Sequence, residues 1–225
     1  MDQAVTEKAY KGFGMEGFTA KWYASLTYKS LEEFKALARR VAEKISPGSH
    51  VLEVAPGPGY FAIELAKLGD YKIAGIDISH TFVEIARENA KQAGVEVDFR
   101  EGNAASMPFA AESFDFLLCR AAFKNFSEPV RALQEMYRVL KPGGRALIID
   151  LRRDASQESV SDAVERMHLG RVNTIITKLT FRFMLLRRAY TRREFEQFLA
   201  QTKFGRVKIR EDLTGLELAL QRGTP

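Results

Sequence analysis

Apolar positions along the chain follow two spacings. Residues 30–45, SLEEFKALARRVAEKI, set Phe34, Leu37, Ala38, Val41 and Ile45 three and four apart, one face of a helix. Ser30 and Glu33 have the spacing of a capping box, and Pro47 and Gly48 supply the stop. From residue 50 short apolar runs alternate with helical patterns. The runs predict strands near 50–54, 72–77, 95–100, 114–119 and 145–151, and the helical patterns predict helices near 60–68, 80–92 and 128–140. Such alternation predicts a parallel sheet covered by helices on both faces. VLKPGGR reads as a helix end, closed by Pro142, Gly143 and Gly144, ahead of the strand ALIIDL.

Residues 156–188 break this rhythm. They read as one or two helices, with Val172, Ile175, Ile176, Leu179, Phe183 and Leu186 on one stripe. Thr191 and Glu194 form a second capping box, opening TRREFEQFLAQT. FGRVKIRED and GLELALQR then read as two strands joined by a short turn, an antiparallel end to the sheet. At the other end, GFGMEGFTAKWYASLTYK is rich in glycine and aromatics and reads as a flap. The fold expected is α/β: a Rossmann-like, doubly wound, mostly parallel seven-stranded sheet with an antiparallel C-terminal hairpin, an N-terminal helical flap and a helical lid insertion. It divides as one domain over 1–225: flap and helix 1–46, core 47–152, lid 153–190, and C-terminal helix and strands 191–225.

Bulk composition narrows the class. A chain of 225 residues, 46% hydrophobic and 28% charged, is an ordinary globular protein of one large domain. Its one cysteine, Cys119, rules out an internal disulfide framework. No apolar stretch approaches the ~18 residues of a membrane span, and MDQAVTEKAYKG lacks the apolar core of a signal peptide, so a cytoplasmic location is expected. The net charge of +5 is uneven: residues 152–225 hold 15 Lys/Arg against 9 Asp/Glu. A basic C-terminal third suits an anionic substrate, a membrane surface or nucleic acid, with a solvated basic face as the plainer reading.

The stretch VLEVAPGPGYFAIELAK, residues 51–67, raises the chemical question. Gly57 and Gly59 give a tight strand-to-helix turn whose amides can approach a ligand at the start of a helix, where partial positive charge favours an anion. The next strand ends in Asp77, placed to hydrogen-bond both hydroxyls of a ribose. Gly57, Gly59 and Ala62 also fit G-x-G-x-x-A, which suits NAD. Glu53 separates the two ligands. An acid here repels a pyrophosphate but attracts an amine, as in S-adenosyl-L-methionine, which carries an α-ammonium, an α-carboxylate and a sulfonium but no phosphate.

With these residues the chain resembles the class I S-adenosylmethionine-dependent methyltransferases, in the small-molecule branch that includes ubiquinone/menaquinone methyltransferases. The resemblance covers about 48–152. VLEVAPGPG resembles the family's first motif, GIDIS the second, EGNAASMPF the third, FDFLLCRAAF the fourth and RVLKPGGRALIIDL the fifth. It implies an S-adenosyl-L-methionine site formed by Glu53, Ala55, Gly57, Gly59, Asp77, Ile78, Asn103, Ala104, Arg120 and Tyr28, with Asp77 on the ribose, Ile78 packed on the adenine and Asn103 accepting from the adenine amino group. Three departures stand out. Ala55 replaces a usual Gly, Asn103 a usual Asp, and Phe123, Lys124 and Asn125 stand where many relatives have histidines.

The acceptor side is less legible, and no catalytic residue is assigned. His50, His80 and His168 read as surface or packing residues, with His80 nearest the second motif; Cys119 reads as packed in its strand. Arg120 either touches ligand or forms an ion pair. Tyr23 shares the flap with Tyr28, Lys124 reads as solvent-exposed or orienting substrate, and Tyr190 as a wall of the pocket or as packing. No N/D-P-P-Y/F and no Pro-Cys follow or occupy the fourth strand, which argues against nucleic-acid substrates. Met167, Phe181, Phe183 and Met184, flanked by Lys178, Arg182, Arg187 and Arg188, suggest an apolar or aromatic small acceptor, with contact to a membrane surface as a lesser reading. No metal site is expected. The alternatives are a cofactor-binding module without transfer activity and an NAD-dependent oxidoreductase.

Overall fold

A computed structural model describes residues 10–11, 15–165 and 185–224. Its strands are β1 (His50–Val54), β2 (Lys72–Asp77), β3 (Asp98–Glu101), β4 (Phe114–Arg120), β5 (Leu140–Leu151), β6 (Phe204–Glu211) and β7 (Gly215–Arg222). They form one sheet in the order β3-β2-β1-β4-β5-β7-β6. β1 to β5 run parallel, and β7 pairs antiparallel with both β5 and β6. The expected fold and its C-terminal hairpin are both present. The helices named below are α1 (Gly17–Tyr28), α2 (Leu31–Ala42), α3 (Tyr60–Ala66), α4 (His80–Ala93), α5 (Pro129–Val139), α6 (Gln157–Glu165) and α7 (Arg192–Leu199).

The central strands are apolar on both faces because both faces are covered. Val51, Ile73, Phe116 and Leu118 pack with Phe34, Val41, Phe61 and Val83 from α2, α3 and α4. Leu52, Val54, Ile76, Leu117, Cys119 and Ile148 pack on the opposite face with Leu133, Met136 and Phe195 from α5 and α7. Alternation along β1 and β2 therefore turns Glu53 and Asp77 toward the α2–α3–α4 face. Arg222, at the end of β7, donates to the carbonyls of Tyr137, Arg138 and Leu140, closing the exposed carbonyl end of α5.

Local chemistry departs from expectation in three places. Ser30 does not cap α2: its side chain makes no cap bond, while its carbonyl accepts from Glu33 N at 3.0 Å. The Glu33 carboxylate is drawn instead to Arg120, at 2.8 Å. The second box forms as expected, with Thr191 Oγ1 accepting from Glu194 N and the Glu194 carboxylate accepting from Thr191 N. The KPGG stretch is not a free turn. Leu140 is already extended and pairs with Phe114, and the next pairing is Phe116 with Arg145, so Lys141–Gly144 form a bulge inside one long β5. β3 also starts three residues later than the pattern suggests, at Asp98. Of the expected lid, α6 and the turn Leu186–Arg188 are described; Val172, Ile175, Ile176, Leu179 and Phe183, with Met167, His168, Lys178, Phe181, Arg182 and Met184, lie outside the described residues.

Candidate functional site

The chain winds from β1 to β2 and β3 on one side and returns to β4 and β5 on the other. Beyond the carboxyl ends of β1 and β4, where the order reverses, lies the place at which such sheets usually offer a ligand a crevice. Its lips are strained. Ala55, directly after β1, has φ 56°, and Ala121, directly after β4, has φ 57°. The left-handed region costs a residue with a Cβ roughly 1–2 kcal/mol, and strain of this kind gathers at functional sites. Gly57 and Gly59 also adopt positive φ, and Gly59 heads α3. A Cβ on Gly59 would lie 2.6 Å from Cζ of Phe99, so close packing demands glycine there.

The amides of this turn are not open as expected. Gly57 N donates to Asp77 Oδ2 at 2.9 Å, and Gly59 N donates to the Pro56 carbonyl at 3.1 Å. A neighbouring strand's carboxylate and the turn's own closure have taken them. Asp77 also accepts from Ser79 N through Oδ1, at 3.0 Å. Asp77 is only 6% exposed, and burial pushes its carboxyl up to about 6 despite the amide bonds that favour its charge.

Glu53 is 3% exposed, and its Oε2 accepts from Ala62 N, the third residue of α3, at 3.1 Å. The helix-capping role is therefore real. Burial pushes the Glu53 carboxyl up to about 8, with Arg120 pulling the other way. At neutral pH the acid is held mostly uncharged inside the fold, and an arriving cation would draw it into ionisation.

Around these acids stand the other expected contacts. Ile78, Asn103 and Ala104 are half-buried. Gly102 N donates to the Asp77 carbonyl at 2.8 Å, which ties the loop carrying Asn103 to the end of β2. Asn103 Oδ1 accepts from Ala105 N at 2.8 Å, an Asx turn that leaves one lone pair for another donor. Arg120 takes the ion-pair alternative: it bonds Glu33 and lies over the Phe34 ring at 4.4 Å. Tyr28, at the end of α1, is 59% exposed and stands edge-on to Tyr60 at 5.8 Å. Tyr23 packs edge-on against Phe82.

The described N-terminal residues touch the fold on both sides of this place. Ser79 caps α4 through Phe82 N and donates its hydroxyl to the Met15 carbonyl at 2.6 Å. The Glu16 carboxylate accepts from Thr81 N and Oγ1, and Gly17 N donates to Thr81 Oγ1. Across the crevice, Tyr10 bridges to Phe126, Lys11 N donates to the Asn125 carbonyl at 2.7 Å, and Lys11 Nζ donates to the Tyr190 hydroxyl. Burial raises the Tyr10 phenol; Arg188 opposes the shift, and Asp77, Tyr23 and Asp150 add to it. Tyr10 thus stands within the field of acids on both sides of the crevice.

The far wall corrects one expectation. Lys124 is not solvent-exposed but 3% exposed, its Nζ 2.9 Å from Asp150 Oδ1 and also donating to the Ala121 carbonyl. Asp150 Oδ2 accepts from Lys124 N at 2.8 Å. Tyr190 is 6% exposed and packs edge-on against Phe123, Phe195 and Phe198. His50 is half-buried beside Asp115, whose carboxylate accepts its amide, and His80 pairs with Glu84 and Glu101 on the surface. Sequence reasoning missed Tyr10, Lys11, Ser79 and Asp150. Asp150 carried a usable signal, an acid near the carboxyl end of a strand, the same signal that marked Glu53 and Asp77. Among the described residues, no group of three His, Cys, Asp or Glu could hold a metal ion, and no helix is long and apolar enough to cross a membrane.

Comparison with known proteins bears on this geometry. Residues 52–148 match a family model described as "Methyltransferase domain". A demethylmenaquinone methyltransferase of Deinococcus radiodurans is 37% identical over 123 residues, 54% of this chain and 50% of that protein. The chain spans about half the length of the curated relatives it matches. Among solved structures, a candidate S-adenosyl-L-methionine-dependent methyltransferase from Methanococcus maripaludis aligns with TM-score 0.77 at 18% identity, covering 96% of this chain and 97% of that one. The [4+2]-cyclase SpnF aligns with TM-score 0.58 at 20% identity, covering 85% of this chain and 81% of its own. Likeness at these identities establishes the fold. The resemblance read from the five sequence motifs is borne out by the domain match.

Proposed function

We propose that the methyltransferase domain at residues 52–148 of this chain binds S-adenosyl-L-methionine beyond the ends of β1, β2 and β4 and transfers its methyl group to a small apolar or aromatic molecule. The observation that carries this reading is the pair of buried carboxylates, Glu53 and Asp77, on either side of the 55–59 turn. An incoming ammonium group would draw the buried Glu53 into ionisation and pair with it, a gain that a pyrophosphate would not have. NAD is disfavoured on the same ground.

When bound, S-adenosyl-L-methionine supplies a methyl group already activated by sulfonium, which an acceptor takes by in-line displacement with a neutral thioether leaving. The chain supplies position. Asp77 accepts from ribose hydroxyls while holding Gly57; Ile78 packs on the adenine; Asn103 offers its remaining lone pair to the adenine amino group; Ala104 contributes backbone. Gly57 and Gly59 shape the turn, Ala55 keeps it narrow, and Arg120 acts on the site through its field at Glu53. Held geometry alone contributes ~7–11 kcal/mol in the best cases. A base is needed only for an acceptor that starts protonated. With Phe123, Lys124 and Asn125 rather than histidine directly after β4, the acceptors favoured are phenols, thiols, amines or enolisable carbons that reach the nucleophilic form readily. The demethylmenaquinone methyltransferase relatives support an apolar quinol-like acceptor. We read the chain as a single domain acting in the cytoplasm on a small molecule rather than on nucleic acid.

Calorimetry of the intact chain with S-adenosyl-L-methionine, S-adenosyl-L-homocysteine and NAD tests the cofactor. The two adenosyl amino acids are expected to bind and NAD not to. Binding of NAD alone overturns the reading. Labelled-methyl transfer to a panel of quinols, phenols, thiols and amines then separates an enzyme from a binding module, for which the SpnF likeness is the reason to ask.

A further inference from the structure

Helix α1 buries one face and leaves an apolar one in solvent. Ala20 and Ala24 are buried, with Tyr23 and Thr27 half-buried beside them, against the N-terminal part of α4 and α3. On the opposite side Phe18, Trp22 and Leu26 recur every four residues, 84%, 55% and 42% exposed. A helix apolar on both sides is normally enclosed on both, and exposed large apolar side chains in one contiguous row mark an interaction site.

The chemistry of this row points to one partner. Lys21 and Lys29 flank it, both exposed, and residues 17–29 contain no acid. Tyr28, 59% exposed, stands at its end. Trp and Tyr beside Lys, over aliphatic and phenyl groups, is the composition of a helix lying in the headgroup boundary of a bilayer. A second protein would more often meet charges of both signs. Acids do border one flank: Glu84 and Glu88 of α4 share a shallow depression with Lys21. Burial of the aromatic row, more than charge, would therefore hold the helix at the surface. The opposite, buried side of α1 rests on the elements that carry the site, since Tyr60 Oη, at the head of α3, donates to the Ala24 carbonyl and Gly17 N to Thr81 Oγ1.

We infer that the Phe18–Trp22–Leu26 face of α1 docks on a lipid bilayer bearing anionic headgroups. It does not depend on which molecule is methylated. Trp22 is the chain's one tryptophan, so its fluorescence reports on this face alone. Intact chain is titrated with vesicles of phosphatidylcholine and with vesicles containing phosphatidylglycerol. The Trp22 emission is expected to shift to the blue, more strongly with phosphatidylglycerol. The double variant Phe18→Ser, Leu26→Ser keeps the probe, and its partitioning is expected to weaken at least tenfold, on the order set by two buried apolar side chains. Unchanged emission of the parent protein with both vesicles overturns the inference. So does a blue shift that follows protein concentration without lipid and coincides with a dimer in sedimentation, which would assign the face to a second copy. Circular dichroism and S-adenosyl-L-homocysteine affinity of the variant distinguish lost docking from lost folding, and a cofactor result against the proposed function would leave the vesicle result standing.

Discussion

Asp77 Oδ2 and Gly57 N are joined at 2.9 Å, so the acid that would receive a ribose also fixes the turn at the end of β1. The two motifs, twenty residues apart in sequence, act as one hydrogen-bonded unit. Asp77→Ala is expected to weaken S-adenosyl-L-homocysteine binding at least tenfold, roughly 1.4 kcal/mol. Asp77→Asn keeps an acceptor for Gly57 and is expected to retain the turn while losing affinity. Calorimetry on both variants, with thermal unfolding alongside, checks this; unchanged affinity in Asp77→Ala argues against the ribose role.

Glu53 and Asp77 make the ligand-free protein sensitive to pH. Both carboxyls titrate higher folded than unfolded, to about 8 and about 6. The folded state therefore binds more protons than the unfolded one, and stability from these groups is lost as pH rises from about 4 to about 8. Glu53→Gln is expected to flatten the upper part of that decline, between pH 6 and 8. Binding of the ammonium-bearing ligand at pH 7 is expected to release a proton from Glu53 in the parent and not in Glu53→Gln. Calorimetry in buffers of different ionisation enthalpy reads the difference.

The buried pair Lys124–Asp150 predicts non-additive mutations. Lys124→Met leaves a buried carboxylate without its cation and is expected to cost about 3–5 kcal/mol. Lys124→Met with Asp150→Asn removes both charges yet keeps an oxygen for Lys124 N, and is expected to recover more than half of that loss. Denaturant unfolding of the single and double variants measures it. With Asp150→Asn alone measured as well, a double-variant loss equal to the sum of the two single losses would mean the pair is not coupled.

Ala55 adopts φ 56°, a left-handed conformation that glycine takes without strain. Ala→Gly normally destabilises by roughly 0.5–1 kcal/mol through chain entropy. At this position relief of left-handed strain, roughly 1–2 kcal/mol, opposes that loss. Ala55→Gly is therefore expected to leave stability unchanged or higher. A fall of the ordinary size would show that the strain is not felt.

The sheet was legible because strands buried on both faces announce themselves as apolar runs, and Glu53 and Asp77 stood out as acids at the ends of such runs. The fate of hydrogen bonds was not. Ser30 and Glu33 had the right spacing for a box, but Arg120, 87 residues further on, took the Glu33 carboxylate. Gly57 seemed open because nothing local showed Asp77 reaching its amide. Lys124 looked like a surface lysine because its partner Asp150 lies 26 residues on, in β5, and the touchdown of Lys11 on Tyr190 joins residues 179 positions apart. Local pattern fixes elements, while long-range pairs decide what their side chains do.

β7 is synthesised after β6 yet lies between β6 and β5. As the chain emerges from the ribosome, β6 therefore has no neighbour to zip onto, and the rim of β5 stays bare until residues 215–222 arrive. Unpaired rims of this kind seed aggregation. Translation of this gene in cells thus passes through a stage at which shielding by a chaperone matters most, and a stop codon upstream of 215 would cost the sheet two strands rather than one.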